Sequence, residues 1–312
     1  MCHNIVSYKF VLNILQNTRE RDKFIVMVTI SGNCFKQSLT KVGTLSAVLT
    51  FLILFSFGSA NACITPVKGK AIQGGLIIFK AENASHIKLD GRAVSINQKN
   101  GFVVGFHRDD VDLRILTAYC QDGAEFKLNL VPEQRIYKTQ KINGLPNNMV
   151  TPPAKTLNRI AHDSELVKQA RGQKGTSTDY FISGFDWPVD GVITGVYGSQ
   201  RILNGAPRQP HFGIDIAAPT GTPVTASAAG TVVMAEDLYF TGWTIIISHG
   251  DYLSSTYSHL QDISVQLGDY VNRGEIIGIV GSAGRSTGAH LDWRINWLDK
   301  RLDPQLIANK NP

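Results

Sequence analysis

Five side chains able to bind a metal or move a proton stand in the last third of the chain. They are His211 and Asp215 in PHFGIDIAAPTGTPV, His259 in TYSHLQDI, and His290 with Asp292 in STGAHLDWRIN. Three nitrogen or oxygen donors plus one open position for water are what a catalytic Zn²⁺ takes, with bonds of about 2.0–2.2 Å. Taken singly, each residue has another use: Asp215 could cap a turn, His211 could sit in solvent and His259 could end a strand. Around His290, Leu291, Trp293 and Ile295 alternate as an apolar face. A period of two then places His290 and Asp292 side by side on the opposite face, either in solvent or against an ion.

The elements that must position these residues are strands. From Phe185 onward, runs such as GVITGVYG, GTPVTASAAGTVVMAED, GWTIIISHG and GDYVNRGEIIGIVGSAG are separated by Gly-rich turns. They predict an all-β folded-sheet or barrel-like domain over residues 185–312. Residues 63–145 predict a small antiparallel β-sandwich-like domain, with hairpin turns at Asp90-Gly91, Asn100-Gly101 and Asp122-Gly123. This first domain carries no constellation of metal ligands or nucleophiles, and His86 and His107 read as lone surface or packing residues. Residues 146–184 predict a connecting helix and a polar linker. Thr151 stands as N-cap, Pro152 at the first helical position, Gly172 past the end, and Leu157, Ile160, Ala161 and Val167 form the apolar stripe. The fold class is mainly β.

Residues 1–62 are different in kind. Lys36 and Lys41 precede the apolar run VGTLSAVLTFLILFSFG and then SANAC, which reads as a secretory signal peptide cut before Cys63, with Met27 as an alternative start. A retained anchor fits less well, because the run is short for a span of about 20 residues. Lipid attachment at Cys63 is a weaker option, with Ala60 where a larger aliphatic residue is preferred. The whole chain carries a formal charge of +6, but residues 1–62 hold six Lys or Arg against two Asp or Glu, leaving +2 for the remainder. Nucleic-acid binding thereby loses its main support. Cys63 and Cys120 remain, and an exported chain can pair them or keep two free thiols.

H-x-x-x-D before AAPTGTPV, then SHL, then GDYVNRGEIIG, then STGAHLD together resemble the lysostaphin-like zinc endopeptidases that cut bacterial peptidoglycan cross-links. The resemblance runs from about Trp187 to Leu306. It implies a zinc ion held by His211, Asp215 and the residue at position 292, with His259 and His290 in the catalytic roles beside it. It also implies peptidoglycan peptide stems as substrate and a place outside the cytoplasm, the periplasm by analogy. Where the family has H-x-H, this chain has H-L-D, and HLDWR with VYGSQRILNG resembles a subgroup of exported members. A carboxylate is a competent zinc ligand, although His290 could instead coordinate with Asp292 orienting it. With His211, Asp215 and Asp292 as ligands the zinc centre is formally neutral, which predicts a more alkaline pH optimum than an H-x-H site. The extra oxygen also brings manganese or iron into range.

Two other classes compete. A member that has lost activity could bind or regulate other cell-wall hydrolases as a partner, though retention of four of the five family residues argues against decay. ASAAGTVV and VQLGDYVNRGEIIGIVG echo biotinyl and lipoyl carriers, but no lysine occurs between Lys174 and Lys300, so the modified residue such a carrier needs is absent. His249 in IIISHG reads as a structural hydrogen-bonding residue, Trp293 and Trp297 as packing residues, and Tyr197, Arg201 and Asn204 as candidates to line the groove.

Overall fold

The computed structural model describes residues 62–309, and the expected leader lies outside them. Mainly β structure is present throughout. In the N-terminal part, strands Ile64–Lys68, Leu76–Ala81 and Gly101–Gly105 form one antiparallel sheet. Strands Arg92–Val94, Ala84–Leu89, Arg114–Cys120 and Glu125–Leu130 form a second. Apolar side chains of both sheets, including stacked Phe79 and Phe102 with ring centroids 4.9 Å apart, join one buried cluster. A Cys63–Cys120 disulfide links the head of the first sheet to the last strand residue of the second, which decides between the two states the sequence left open.

Asp90-Gly91 and Asp122-Gly123 close hairpins as expected, with Asp90, Gly91 and Gly123 at positive φ. Asn100-Gly101 does not. Asn100 ends a turn from Asn97, and Gly101 opens a strand that pairs with Leu76–Ala81 rather than with the run before it. The local turn residue was legible, but its strand's partner is set by burial of Phe102 against Phe79.

Ten antiparallel strands make the main sheet of the C-terminal part. Its principal path runs Tyr270–Val271, Gly230–Leu238, Gly242–Gly250, Leu253–Ile263, His290–Trp297, Ile214–Ala217 and Val192–Gly195. The sheet is open rather than a closed barrel. Leu291, Trp293 and Ile295 are fully buried, as their alternation requires. Trp293 packs against Trp187, with ring centroids 5.7 Å apart. Trp297 is buried too and donates to the Asp251 carbonyl.

The helix expected from Pro152 begins later. Thr151 follows a single helical turn, Asn147–Val150, and the long helix is Leu157–Arg171 with Gly172 at its C-cap. Leu166, Val167 and Ala170 pack it on Val233, Met234, Leu238 and Ile246, the outer face of two sheet strands, whereas Leu157 stays exposed. The stripe is therefore one turn nearer the C-terminus than the first apolar residues imply.

The described residues 62–309 belong to one compact unit. Both β regions contribute to a common core, and ion pairs cross between them: Arg135 with Asp303 at 2.8 Å and Lys300 with Asp110 at 2.9 Å. Just before residue 145, strand Thr139–Ile142 pairs in parallel with Gln200–Leu203, which pairs in turn with Ala206–Arg208. This small third sheet forms one wall of the groove described next.

Candidate metal centre

Strands Ile214–Ala217 and His290–Trp297 are neighbours, in a register that sets Asp215 directly opposite Asp292 and Ala217 opposite His290. Like charges directly opposite one another on a sheet repel, and both carboxylates are buried, with Asp292 only 1% exposed. Burying them costs free energy unless cations compensate. Gly195 and Gly213 allow the crowding. A Cβ at Gly195 would lie 2.1 Å from Asp215 Oδ2, and one at Gly213 would lie 2.9 Å from Asp292 Oδ1.

His211, at the mouth of the first strand, places Nε2 3.0 Å from Asp215 Oδ1. Yet both ring nitrogens of His211 and Asp215 Oδ1 are buried without a hydrogen-bond partner. Their close approach lacks hydrogen-bond geometry, so these buried atoms are left without a partner. Buried polar atoms left this way call for an unseen partner. One donor atom from each of His211, Asp215 and Asp292 lies within 4.8 Å of the others. An imidazole and two carboxylates suit Zn²⁺, and the two oxygens also suit Mn²⁺. The residues fit a divalent metal.

Two arginines complete the electrostatics. Arg201 donates to Asp215 Oδ2 at 2.5 Å. Arg294 grips both oxygens of Asp292, from Nε to Oδ1 at 2.9 Å and from Nη2 to Oδ2. Burial works against ionisation of Asp292. The Arg294 guanidinium, by charge and by hydrogen bonds, outweighs it and holds that carboxyl far below the usual carboxylate range. Asp215 is held low despite burial mainly by His211 and also by Arg201. Asp292 therefore brings its own counter-charge. The neutral centre expected from the ligands alone, and the alkaline pH optimum built on it, lose their basis. A carboxylate oxygen that accepts from Arg294 keeps a second lone pair for a metal.

His259 and His290 flank these groups, with ring centroids 4.7 Å apart. Nδ1 of His259 donates to the Ala283 carbonyl at 2.7 Å, and Nδ1 of His290 to the Gly288 carbonyl at 2.8 Å. Each ring thus keeps Nε2 as its free nitrogen. His290 Nε2 lies 3.8 Å from Asp215 Oδ1, and Asp292 is held by Arg294 rather than by His290. Burial pushes the His259 imidazole down to about 4. His259 also has φ +64°, the left-handed region that costs a non-glycine residue roughly 1–2 kcal/mol. Its backbone is fixed there by a hydrogen bond to the Thr241 carbonyl.

Asp215, His259 and His290 open onto a groove of about 280 Å³, whose lining includes Gln140 and Ile142 from the third sheet. Arg201 lines it, as its position suggested. Tyr197 does not: it is buried and donates to the Arg301 carbonyl. Asn204 instead turns the chain at φ +46° and bonds the Leu145 backbone. His249 is a core residue that donates from Nδ1 to the Ala229 carbonyl, with Nε2 2.7 Å from Ser255 Oγ. His86 stacks on Tyr119, and His107 tilts against Phe212 of the C-terminal part. Sequence reasoning missed Arg294 and Arg285 as site residues. The signal for Arg294 was present, because it follows Asp292 by two and so shares its face.

Residues 209–304 match the family model described as Peptidase family M23. The chain is 43% identical over 112 residues to peptidoglycan DD-endopeptidase ShyA of Vibrio cholerae, covering 35% of this chain and 26% of ShyA. It is 40% identical over 102 residues to DD-carboxypeptidase/endopeptidase Mpg of Neisseria meningitidis, covering 33% of this chain and 24% of Mpg. The matched stretches thus span about a quarter of the length of these relatives. A crystal structure of a candidate M23 peptidase from Pseudomonas aeruginosa superimposes with a TM-score of 0.56 at 25% identity, over 76% of this chain and 94% of that one. Residues 209–304, which carry the paired carboxylates and flanking histidines, are thus a peptidase family M23 domain.

Proposed function

We propose that this protein is an exported, zinc-dependent endopeptidase that hydrolyses peptide cross-links of bacterial peptidoglycan. The single observation that carries the proposal is that buried, unpartnered atoms of His211 and Asp215 lie within 4.8 Å of an Asp292 carboxylate oxygen, beside a groove that Asp215 lines. His211, Asp215 and Asp292 would hold the ion. Bound there, Zn²⁺ supplies Lewis-acid polarisation of a scissile carbonyl and activation of water. His259 and His290 take the proton work at Nε2, because the Ala283 and Gly288 carbonyls fix the other proton of each ring on Nδ1. Either ring can then accept a proton from water and pass one to the leaving amine, and protonated Nε2–H can stabilise the oxyanion. The Cys63–Cys120 disulfide supports an oxidising compartment such as the periplasm, in keeping with the export signal.

A regulatory role is favoured by a different observation: each ligand carboxylate already carries an arginine, which weakens metal attraction. A lipoprotein NlpD/LppB homolog of Pseudomonas aeruginosa is among the relatives, 35% identical over 124 residues. Metal analysis and digestion of purified peptidoglycan by the zinc-loaded protein and by Asp215→Ala separate the two. Hydrolysis that disappears with the metal in Asp215→Ala supports the enzyme, and tight zinc with no released fragments supports the regulator.

A further inference from the structure

Arg201 and Arg285 line the groove, and the charges of Arg201, Arg294 and Arg208 all bear on Arg285. The carboxylates of Asp215 and Asp292 are taken by Arg201 and Arg294. Arg208 spends its donors on the carbonyls of Pro207 and Val150. Arg285 is left over. Among the described residues no carboxylate lies within ion-pair distance of it, and its one side-chain hydrogen bond is a 3.4 Å contact to the Met149 carbonyl. Burial and the neighbouring arginines push its guanidinium down to about 10, so the site lacks negative charge even before a metal adds more of the opposite sign.

Arg285 is also fixed in place. Its backbone N–H donates to the Phe240 carbonyl at 2.7 Å, and its guanidinium lies over the Phe240 ring, 4.5 Å from the centroid. It lines the same groove as Asp215, His259 and His290. A half-buried cation held in place with all but one long hydrogen bond of its fork unused is built to receive a planar anion.

We propose that Arg285 sets the specificity of the groove by binding a free carboxylate on the residue next to the scissile amide of the substrate. The proposal rests on the hydrolase role given above and narrows its substrates to acidic peptides. Neutral peptides of the same length would lose the charge-assisted contact and leave Arg285 desolvated beside three like charges.

The test uses a pair of synthetic cross-linked peptides that differ only in this group, one with the free carboxylate and one with a carboxamide. Dissociation constants and kcat/KM are measured for the zinc-loaded protein and for Arg285→Gln and Arg285→Lys. The wild-type protein is expected to bind the carboxylate peptide about 10- to 100-fold more tightly than its twin. In Arg285→Gln that ratio falls to near one, and Arg285→Lys keeps part of it. A wild-type ratio near one overturns the proposal without any variant, and so does a ratio that survives in Arg285→Gln. Binding preference without cleavage of either peptide would refute the hydrolase role and leave the carboxylate site standing. Cleavage of both peptides at equal efficiency would refute the carboxylate site alone.

Discussion

Replacing Arg294 by methionine isolates the charge problem at the centre of the fold. Arg294 holds both oxygens of Asp292, whose side chain is 2% exposed, while its own is 25% exposed. Without the guanidinium, Asp292 stays buried directly opposite a second carboxylate and loses its own ion-pair partner, while Arg201 stays with Asp215. Removing one partner of a buried ion pair costs about 3–5 kcal/mol, and the water already reaching Arg294 trims this to about 3 kcal/mol. For a chain of this size that is a fall in Tm of roughly 6–12 °C in the metal-free protein. Zinc supplies positive charge to the same carboxylates, so saturating metal should recover at least about half of the loss. Removing both partners, in Arg294→Met with Asp292→Asn, should also recover most of it. Thermal and urea unfolding with chelator and with added zinc measure all three. Equal losses with and without metal, or a double variant no better than the single one, would refute charge neutralisation as the role of Arg294.

Gly195→Ala would press a methyl group to within 2.1 Å of Asp215 Oδ2. The carboxylate must move, and zinc affinity measured against a competing chelator should fall by at least about tenfold. His249 is fully buried, and burial lowers it to about 4 from an ordinary 6.5. The unfolded chain therefore takes up this proton first as pH falls. Stability is fully present above about 6.5 and is lost progressively down to about 4, by about 3 kcal/mol. His249→Asn should flatten that part of the stability–pH curve measured by urea unfolding, and an unchanged slope would assign the acid sensitivity elsewhere. Replacing both Cys63 and Cys120 by serine opens a loop of 57 residues. The chain-entropy model predicts a loss of roughly 4 kcal/mol, and a urea midpoint equal to that of the oxidised protein would contradict it.

Sequence by itself determined the strand character of the candidate metal-binding region and the face on which His290 and Asp292 lie, and the resemblance of its motifs implied the set His211, Asp215, Asp292, His259 and His290. These depend on a period of two and on motif order, which are local or nearly so. The pairing of Asp215 with Asp292, 77 residues apart in the chain, depends on the register between two strands. No local pattern states a register, so the repulsion between those carboxylates, and the need for arginines to relieve it, emerged only in the folded sheet. The same holds for the groove wall: strand Thr139–Ile142 looks like the end of the first domain in sequence, and tertiary pairing with Gln200–Leu203 makes it part of the second. The later helix start was decided the same way. Pro152 permits a helix, but only burial of Leu166, Val167 and Ala170 against the sheet rewards one. Residue type and period fixed which groups this protein could use for chemistry. Packing of distant strands fixed which charges they must answer to, because electrostatic energy depends on separation in space and not along the chain.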